Sequence, residues 1–291
     1  GLIGLTVVAF GTSAPEILVS GSAALEGAPD LGVGNAIGSN IANIGLVLGA
    51  TAMVARLPVS HWLIRLEVPL LIIATALAAW ILYDHYLSRI EGWILLGVAS
   101  LLPVALLLDL KYHKAAREED VYPVDEEEIP DLALGKSIIW LCGGLMILLL
   151  SADLLVDAAT SLAQFFGVSP MIIGLTVVAL GTSLPELAAS IASAIKGHHE
   201  MAVGNIIGSN ILNILLVMAV PALIMPTELE PQVFARDTLT MLALTLILLA
   251  LIFFKTSRSP TGKGYIGKPW ACLFLLIYVG YYVVLVTGDK L

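Results

Sequence analysis

Apolar residues run through this chain in long blocks, and the polar residues fall mainly between them. Nine blocks stand out, at roughly residues 1–24, 33–55, 66–83, 90–110, 134–163, 170–195, 202–225, 234–254 and 269–287. A bilayer core about 30 Å thick takes about 20 mostly apolar helical residues to cross, and several blocks reach that length. A helix of a soluble domain would carry a polar face, whereas these are apolar on nearly all sides. The pattern predicts an all-α polytopic membrane protein with nine spans in this chain.

The fourth and fifth blocks are joined by the only long polar connection, "KYHKAAREEDVYPVDEEEIPDLALGK". It reads as a solvated linker over 111–133 between two halves, 1–110 and 134–291. Asp125, Glu126, Glu127 and Glu128 cluster there, but without the glycine-turned loop of alternating ligands that a Ca2+ loop uses. With this linker placed in the cytoplasm, 11 Lys and Arg residues fall inside, and only Arg89, Arg236 and Lys290 fall outside. That split follows the positive-inside rule.

An internal repeat organises the two halves. "GLTVVAFGTSAPEILVS" recurs as "GLTVVALGTSLPELAAS", with Glu186 falling 170 positions after Glu16. The same offset aligns "GNAIGSNIANIGLV" from Gly34 with "GNIIGSNILNILLV" from Gly204 without a gap, and Arg65–Glu67 falls close to Arg236–Asp237. Glu186 lies five spans after Glu16, an odd number, so the two copies should cross the membrane with opposite polarity. Inverted repeats mark secondary transporters, whose site lies near the midplane where the repeats meet. The offset pairs Met171 with Gly1 and leaves the 134–163 block without a partner. One further helix before residue 1, and ten spans in the native protein, are therefore expected.

Composition supports the membrane reading: 58% of residues are hydrophobic and 13% charged, against about 25% charged in soluble domains. The net charge of −9 comes largely from the linker, and no basic stripe suggests nucleic acid. Cys142 and Cys272 sit in apolar blocks as small packing residues, without metal or disulfide spacing. Trp62, Trp93, Trp140 and Trp270 lie near block ends, where interfacial anchors belong. His198 and His199 read as loop residues.

The repeated motif carries the chemistry. On a helix, Thr12 and Ser13 stand four and three residues before Glu16, so their oxygens gather on one face. Pro15 has no N–H, which frees the Gly11 carbonyl and bends or breaks the helix. Irregular backbone at membrane depth survives only when protein-buried or lining a wet cavity. Thr182, Ser183, Pro185, Glu186 and Gly181 repeat the arrangement. In the second motif Ser39 and Asn43, and likewise Ser209 and Asn213, could share a helix face, while Gly34 and Gly38, and Gly204 and Gly208, form close-packing pairs. All these donors are hard oxygens, suited to Ca2+ or Na+ and poorly suited to zinc or copper. An ionisable residue inside a membrane is a functional candidate by default, and here there are two in matching frames.

The paired "GTSxPE" and "GNxxGSN" motifs resemble the two alpha-repeats of the cation/calcium exchanger superfamily, particularly its sodium/calcium exchanger branch. The resemblance covers both halves. It implies ten helices, with two GTSxPE helices crossing around one Ca2+ or several Na+. It maps the cation ligands onto Thr12, Ser13, Glu16, Ser39 and Asn43, and onto Thr182, Ser183, Glu186, Ser209 and Asn213, with the Ala9 and Ala179 carbonyls. Many relatives, the potassium-dependent exchangers among them, carry aspartate where this chain has Asn213, which argues against potassium co-transport.

The expected activity is antiport of Ca2+ against Na+ without a cofactor, in a protein of the prokaryotic inner membrane needing no obligate protein partner. Two ionised glutamates are neutralised by one Ca2+ or by two Na+, so occupancy is competitive. Ca2+/H+ antiport is the alternative, because protons can replace Na+ on desolvated carboxylates. A hydrolase using Ser13 or Ser183 would need a base within reach, and no histidine lies inside a block. A passive channel is disfavoured by the repeats. Asp153 and Asp157 either line a cation access path or satisfy neighbouring helices.

Overall fold

The computed structural model describes residues 9–59, 63–112, 134–258 and 264–288. Helices account for most of them: α1 (Ala14–Leu25), α2 (Pro29–Val54), α3 (Arg65–Asp84), α4 (Arg89–Tyr112), α5 (Leu134–Phe165), α6 (Pro170–Ile195), α7 (His199–Ile224), α8 (Val233–Phe254) and α9 (Lys268–Thr287). Among the described residues, α2, α3, α6, α7, α8 and α9 are each long and apolar enough to cross a membrane. Large apolar side chains such as Leu18, Leu25, Ile139, Leu154 and Leu276 point outward. That is the distribution a protein solvated by lipid tails requires.

Two helical hairpins carry the repeated motifs, and both turn in the same way. Gly27 (φ 84°) ends α1 and Gly197 (φ 80°) ends α6, each in the left-handed conformation that glycine adopts without steric cost. Behind them the Ala28 N–H donates to Ala23 O, and the His198 N–H to Ser193 O, both at 2.8 Å. These bonds satisfy carbonyls that a helix end leaves open.

The core forms where α2 and α7 cross the other helices; the most apolar stretches of these two are 78% and 72% buried. Glycine makes the closest approach possible. A Cβ on Gly34 would stand 2.6 Å from the Met171 carbonyl, and one on Gly38 2.6 Å from the Leu175 carbonyl, so α2 and α6 touch backbone to backbone. Such small-residue seams drive helix association where lipid removes the usual hydrophobic gain.

Several helices contain a stretch of wider, i→i+5 turns, and among the described residues four of the five stretches fall into repeat-related pairs: Asn43–Leu48 with Asn213–Val217, and Leu63–Glu67 with Val233–Thr238. The fifth, Gly174–Val178, precedes the second GTSxPE motif. Wide turns of this kind are rare and cluster at functional positions.

The all-α expectation misses two short antiparallel strand pairs. β1 (Leu57–Val59) pairs with β4 (Gly264–Ile266), and β2 (Tyr86–Leu87) with β3 (Thr227–Glu228). They close helix ends whose backbone groups need partners. The cysteines also differ from expectation, since Cys142 and Cys272 are free and exposed rather than packed inside. Trp93 and Trp140 are exposed near the starts of α4 and α5, and Trp270 is half-buried in the first turn of α9. His198 caps α7 and His199 is its first residue. The acidic cluster at 125–128 and Trp62 lie outside the described residues.

Candidate cation site

Each GTSxPE motif interrupts its helix at the serine. Ser13 has φ −84°, ψ 2°, and Ser183 has φ −85°, ψ −1°, so the two copies distort alike. Pro15 and Pro185 follow at the start of the resumed helices, where a missing N–H costs least. Ser13 and Ser183 still donate their N–H groups to Ala9 O and Ala179 O, at 3.0 and 3.1 Å. The Thr12 hydroxyl also reaches Ala9 O at 3.2 Å, and Thr182 reaches Ala179 O at 3.5 Å. The Ala9 carbonyl thus already accepts two hydrogen bonds, whereas the Ala179 carbonyl keeps only the Ser183 N–H, because the single Thr182 proton goes to Asn35 at the shorter distance.

Around these breaks the structure gathers the remaining residues of the expected set. Glu16 and Glu186 are fully buried, as are Ser39, Asn43, Ser209 and Asn213, and Thr12, Ser13, Thr182 and Ser183 are nearly so. Glu186 acts electrostatically on Glu16, and no basic side chain among the described residues acts on either carboxylate. Each motif leans on the other copy's acid: the Thr182 hydroxyl faces Glu16, and Thr12 and Ser13 face Glu186. Ser209 Oγ lies 3.4 Å from Glu186 Oε1. Ser39 does not reach Glu16; it lies 3.3 Å from Asn35 Oδ1 and 3.5 Å from Thr182 Oγ1.

Most of these polar atoms lack a protein partner. Both carboxylate oxygens of Glu16, Oε2 of Glu186, the Ser13 and Ser183 hydroxyls, and both amide atoms of Asn43 and of Asn213 are buried without a hydrogen bond. Native interiors rarely leave such groups alone, and each costs about 1–3 kcal/mol. A cluster of them, mostly oxygen and rich in negative charge, is arranged for a hard cation.

Sequence reasoning passed over the residues that brace this cluster. Asn35 Nδ2 donates to Ser20 Oγ at 3.0 Å and to the Glu16 carbonyl at 3.3 Å, and Asn35 Oδ1 accepts from Thr182 at 3.1 Å. Asn205 repeats the pattern, donating to Ser190 Oγ at 3.2 Å, with Thr12 3.5 Å from its Oδ1. The signal was available, because both asparagines stand in GNxxGSN at the repeat offset. Asp157 is exposed on α5, and the Asp153 side chain lies outside the described residues. Among the described residues no cluster of three or more His, Cys, Asp or Glu forms, at this site or elsewhere.

A family model described as "Sodium/calcium exchanger protein" matches residues 1–107 and 136–287. A relative from Alkalimonas amylolytica named for antiport, CaxA, is 43% identical, covering 99% of this chain and 88% of its own length. Sodium/calcium exchanger MaX1 of Methanosarcina acetivorans is 29% identical, with 98% and 88% covered. Among solved structures, the sodium-calcium exchanger NCX_Mj soaked with Na+ and Ca2+ superposes with a TM-score of 0.73 at 33% identity, covering 98% of this chain and 85% of that one.

Proposed function

Because the chain belongs to the sodium/calcium exchanger family, we propose that it moves Ca2+ across the membrane in exchange for Na+ through the site built around Glu16 and Glu186. It is an integral protein of the plasma membrane type, and its family is one of ion exchangers rather than catalytic enzymes. The observation that carries the specific reading is the buried set of unpartnered oxygens on Glu16, Ser13, Asn43, Glu186, Ser183 and Asn213. Two carboxylates without a protein counter-ion hold about two negative charges in a poorly screened interior. One Ca2+ neutralises them, and so do two Na+, but both loads together would leave a large uncompensated charge. The two loads therefore compete. Alternating access to one competitive site converts that competition into exchange.

The chain-wide arrangement we infer is nine crossings, with halves 1–110 and 134–291 threaded in opposite directions and joined by a cytoplasmic linker at 111–133. Support comes from side-chain contacts that recur at the 170-residue offset, Asn35 with Ser20 and Asn205 with Ser190, and from the paired wide turns.

Radiolabelled Ca2+ uptake into proteoliposomes, under an imposed Na+ gradient at fixed pH, tests the proposal. Uptake should follow the outward Na+ gradient. Equal uptake driven by a proton gradient in Na+-free buffer would instead make the counter-ion H+.

A further inference from the structure

A cluster of tyrosines on α9 ties together three of the wide turns, and the cation-site chemistry makes no use of it. Tyr278 packs on the turn that starts at Asn43: a Cβ placed on Gly45 would meet Tyr278 Cβ at 2.8 Å. The Tyr282 hydroxyl donates to the Thr176 carbonyl at 3.3 Å, inside the wide turn that leads to Ala179 and the second GTSxPE motif. The Tyr281 hydroxyl donates to Asp237 Oδ1 at 2.9 Å, inside the wide turn of α8. Asp237 is fully buried and is also held by Arg236, whose Nε donates to the same Oδ1 at 2.7 Å and whose Nη2 donates to Oδ2 at 3.0 Å. Tyr278 donates to Tyr282 at 3.1 Å, and the Tyr281 ring meets the Tyr282 ring edge to face at 5.9 Å, which joins the three tyrosines into one packed unit. Two of the three turns belong to α2 and α6, which carry Ser39, Asn43, Thr182, Ser183 and Glu186 of the candidate set.

Among its described residues the other half of the chain has no such tyrosine unit. The strand pairs give the correspondence: β1 matches β3 at the 170 offset, so β4 matches β2, and α9 then matches α4 with Lys268 aligned to Arg89. In that frame Tyr278, Tyr281 and Tyr282 correspond to Ala99, Leu102 and Pro103, and Gly45 corresponds to Leu215. A tyrosine against a glycine on one side is an alanine against a leucine on the other. Neither Leu102 nor Pro103 can donate a side-chain hydrogen bond.

We propose that Tyr278, Tyr281 and Tyr282 form a one-sided clamp that holds the wide turns of α2, α6 and α8 in the arrangement seen here, favouring one of the exchanger's two access states over the other. The inference rests on the inverted-repeat reading above. Two halves of identical sequence would make the two access states equivalent by a two-fold rotation in the membrane plane, and equal in energy. A brace present in only one half removes that equality. These tyrosines are positioning residues, since none of them is among the candidate ligands.

Tyr282→Phe keeps the ring and removes both the bond to Thr176 and the acceptor of Tyr278, while Gly45→Ala keeps every hydroxyl and forces Tyr278 away. Each buried hydrogen bond lost should shift the ratio of states by about three- to tenfold. Half-saturating Ca2+, measured separately from each face in oriented proteoliposomes, should then change in opposite directions on the two faces for both variants, because apparent affinity scales with the fraction of the competent state. General damage would weaken both faces together. Spin labels at exposed Ile195 and Val286, near the ends of α6 and α9, report the same shift without any transport. In a background lacking Cys142 and Cys272, Tyr282→Phe should populate a second distance. A chain that exchanged no Ca2+ would sink the proposed function and still let the labels decide the clamp. Unchanged distances, or two faces moving in step, would overturn it.

Discussion

Thr182 donates to Asn35 Oδ1 at 3.1 Å, joining the second GTSxPE motif to the first GNxxGSN motif across 147 positions of chain. Asn35 is saturated, because it also takes Ser39 at 3.3 Å and gives both amide protons to Ser20 and the Glu16 carbonyl. It is therefore a structural hub beside the carboxylates rather than a free ligand. Asn35→Ala would strand several buried partners at about 1–3 kcal/mol each. We expect a loss of at least about 3 kcal/mol, seen as a clearly lower melting temperature in detergent. A variant that melts with the wild type would remove Asn35 from this role.

The contact between α2 and α6 makes a steric prediction. A Cβ on Gly38 would lie 2.6 Å from the Leu175 carbonyl and 2.7 Å from Ala179 Cβ, whereas one on Gly97 would meet nothing within 4 Å. Gly38→Ala must push α2 away from the segment that positions Thr182 and Ser183, at a cost of about 1–3 kcal/mol. Gly97→Ala should be neutral. Thermal stability and Na+-driven Ca2+ uptake should both fall in the first variant and stay level in the second, and equal behaviour would contradict the packing described.

Those two residues also mark what the sequence could reveal. Gly38 and Asn35 stand in a motif that repeats at a fixed offset, so the repeat, the close glycine seam and the burial of Glu16 and Glu186 were all legible from the pattern. Asn35 was overlooked because Ser39 was paired with Asn43, four residues after it, although Asn35 stands four residues before it and is the partner that it reaches. The wide turn beginning at Asn43 was not foreseen at all. No hydrophobic pattern reports such a turn, since a stretch that is apolar on all sides has no stripe whose period could change. The strand pairs escaped for a related reason, being two or three residues long and set among helix ends. The doubly bonded carbonyl of Ala9 depends on a threonine rotamer, which spacing does not encode.

Asn43 and Asn213 offer a contrast to Asn35. Both are fully buried, and neither amide has a hydrogen-bond partner. Replacing either with alanine removes a neutral oxygen from the candidate site and strands no protein group. Asn43→Ala and Asn213→Ala should therefore melt within about 1 kcal/mol of the wild type. Each should weaken Na+ or Ca2+ binding by about tenfold, the equivalent of about 1.4 kcal/mol for a lost ligand. Isothermal titration of each ion, alongside a melting curve, separates the two effects. Strong destabilisation with unchanged binding would place these amides in the scaffold instead.

The carboxylates give the sharpest test, because stability and function should move in opposite directions. Glu16 and Glu186 repel each other with no basic side chain near them among the described residues. Without Ca2+ or Na+, Glu16→Gln or Glu186→Gln removes one of two like charges and should leave the melting temperature equal to or above that of the wild type. With Ca2+ the order should reverse. A hundredfold excess over the dissociation constant adds about 2.7 kcal/mol to a protein that binds the ion. A charge lost about 4 Å from the ion, at an effective dielectric near 20, costs several kcal/mol. Binding to either variant should thus weaken by at least about a hundredfold, and Ca2+ uptake should fall to background. A glutamate that served only the fold would lower the melting temperature with and without Ca2+ alike, and that result would rule out the paired-carboxylate site.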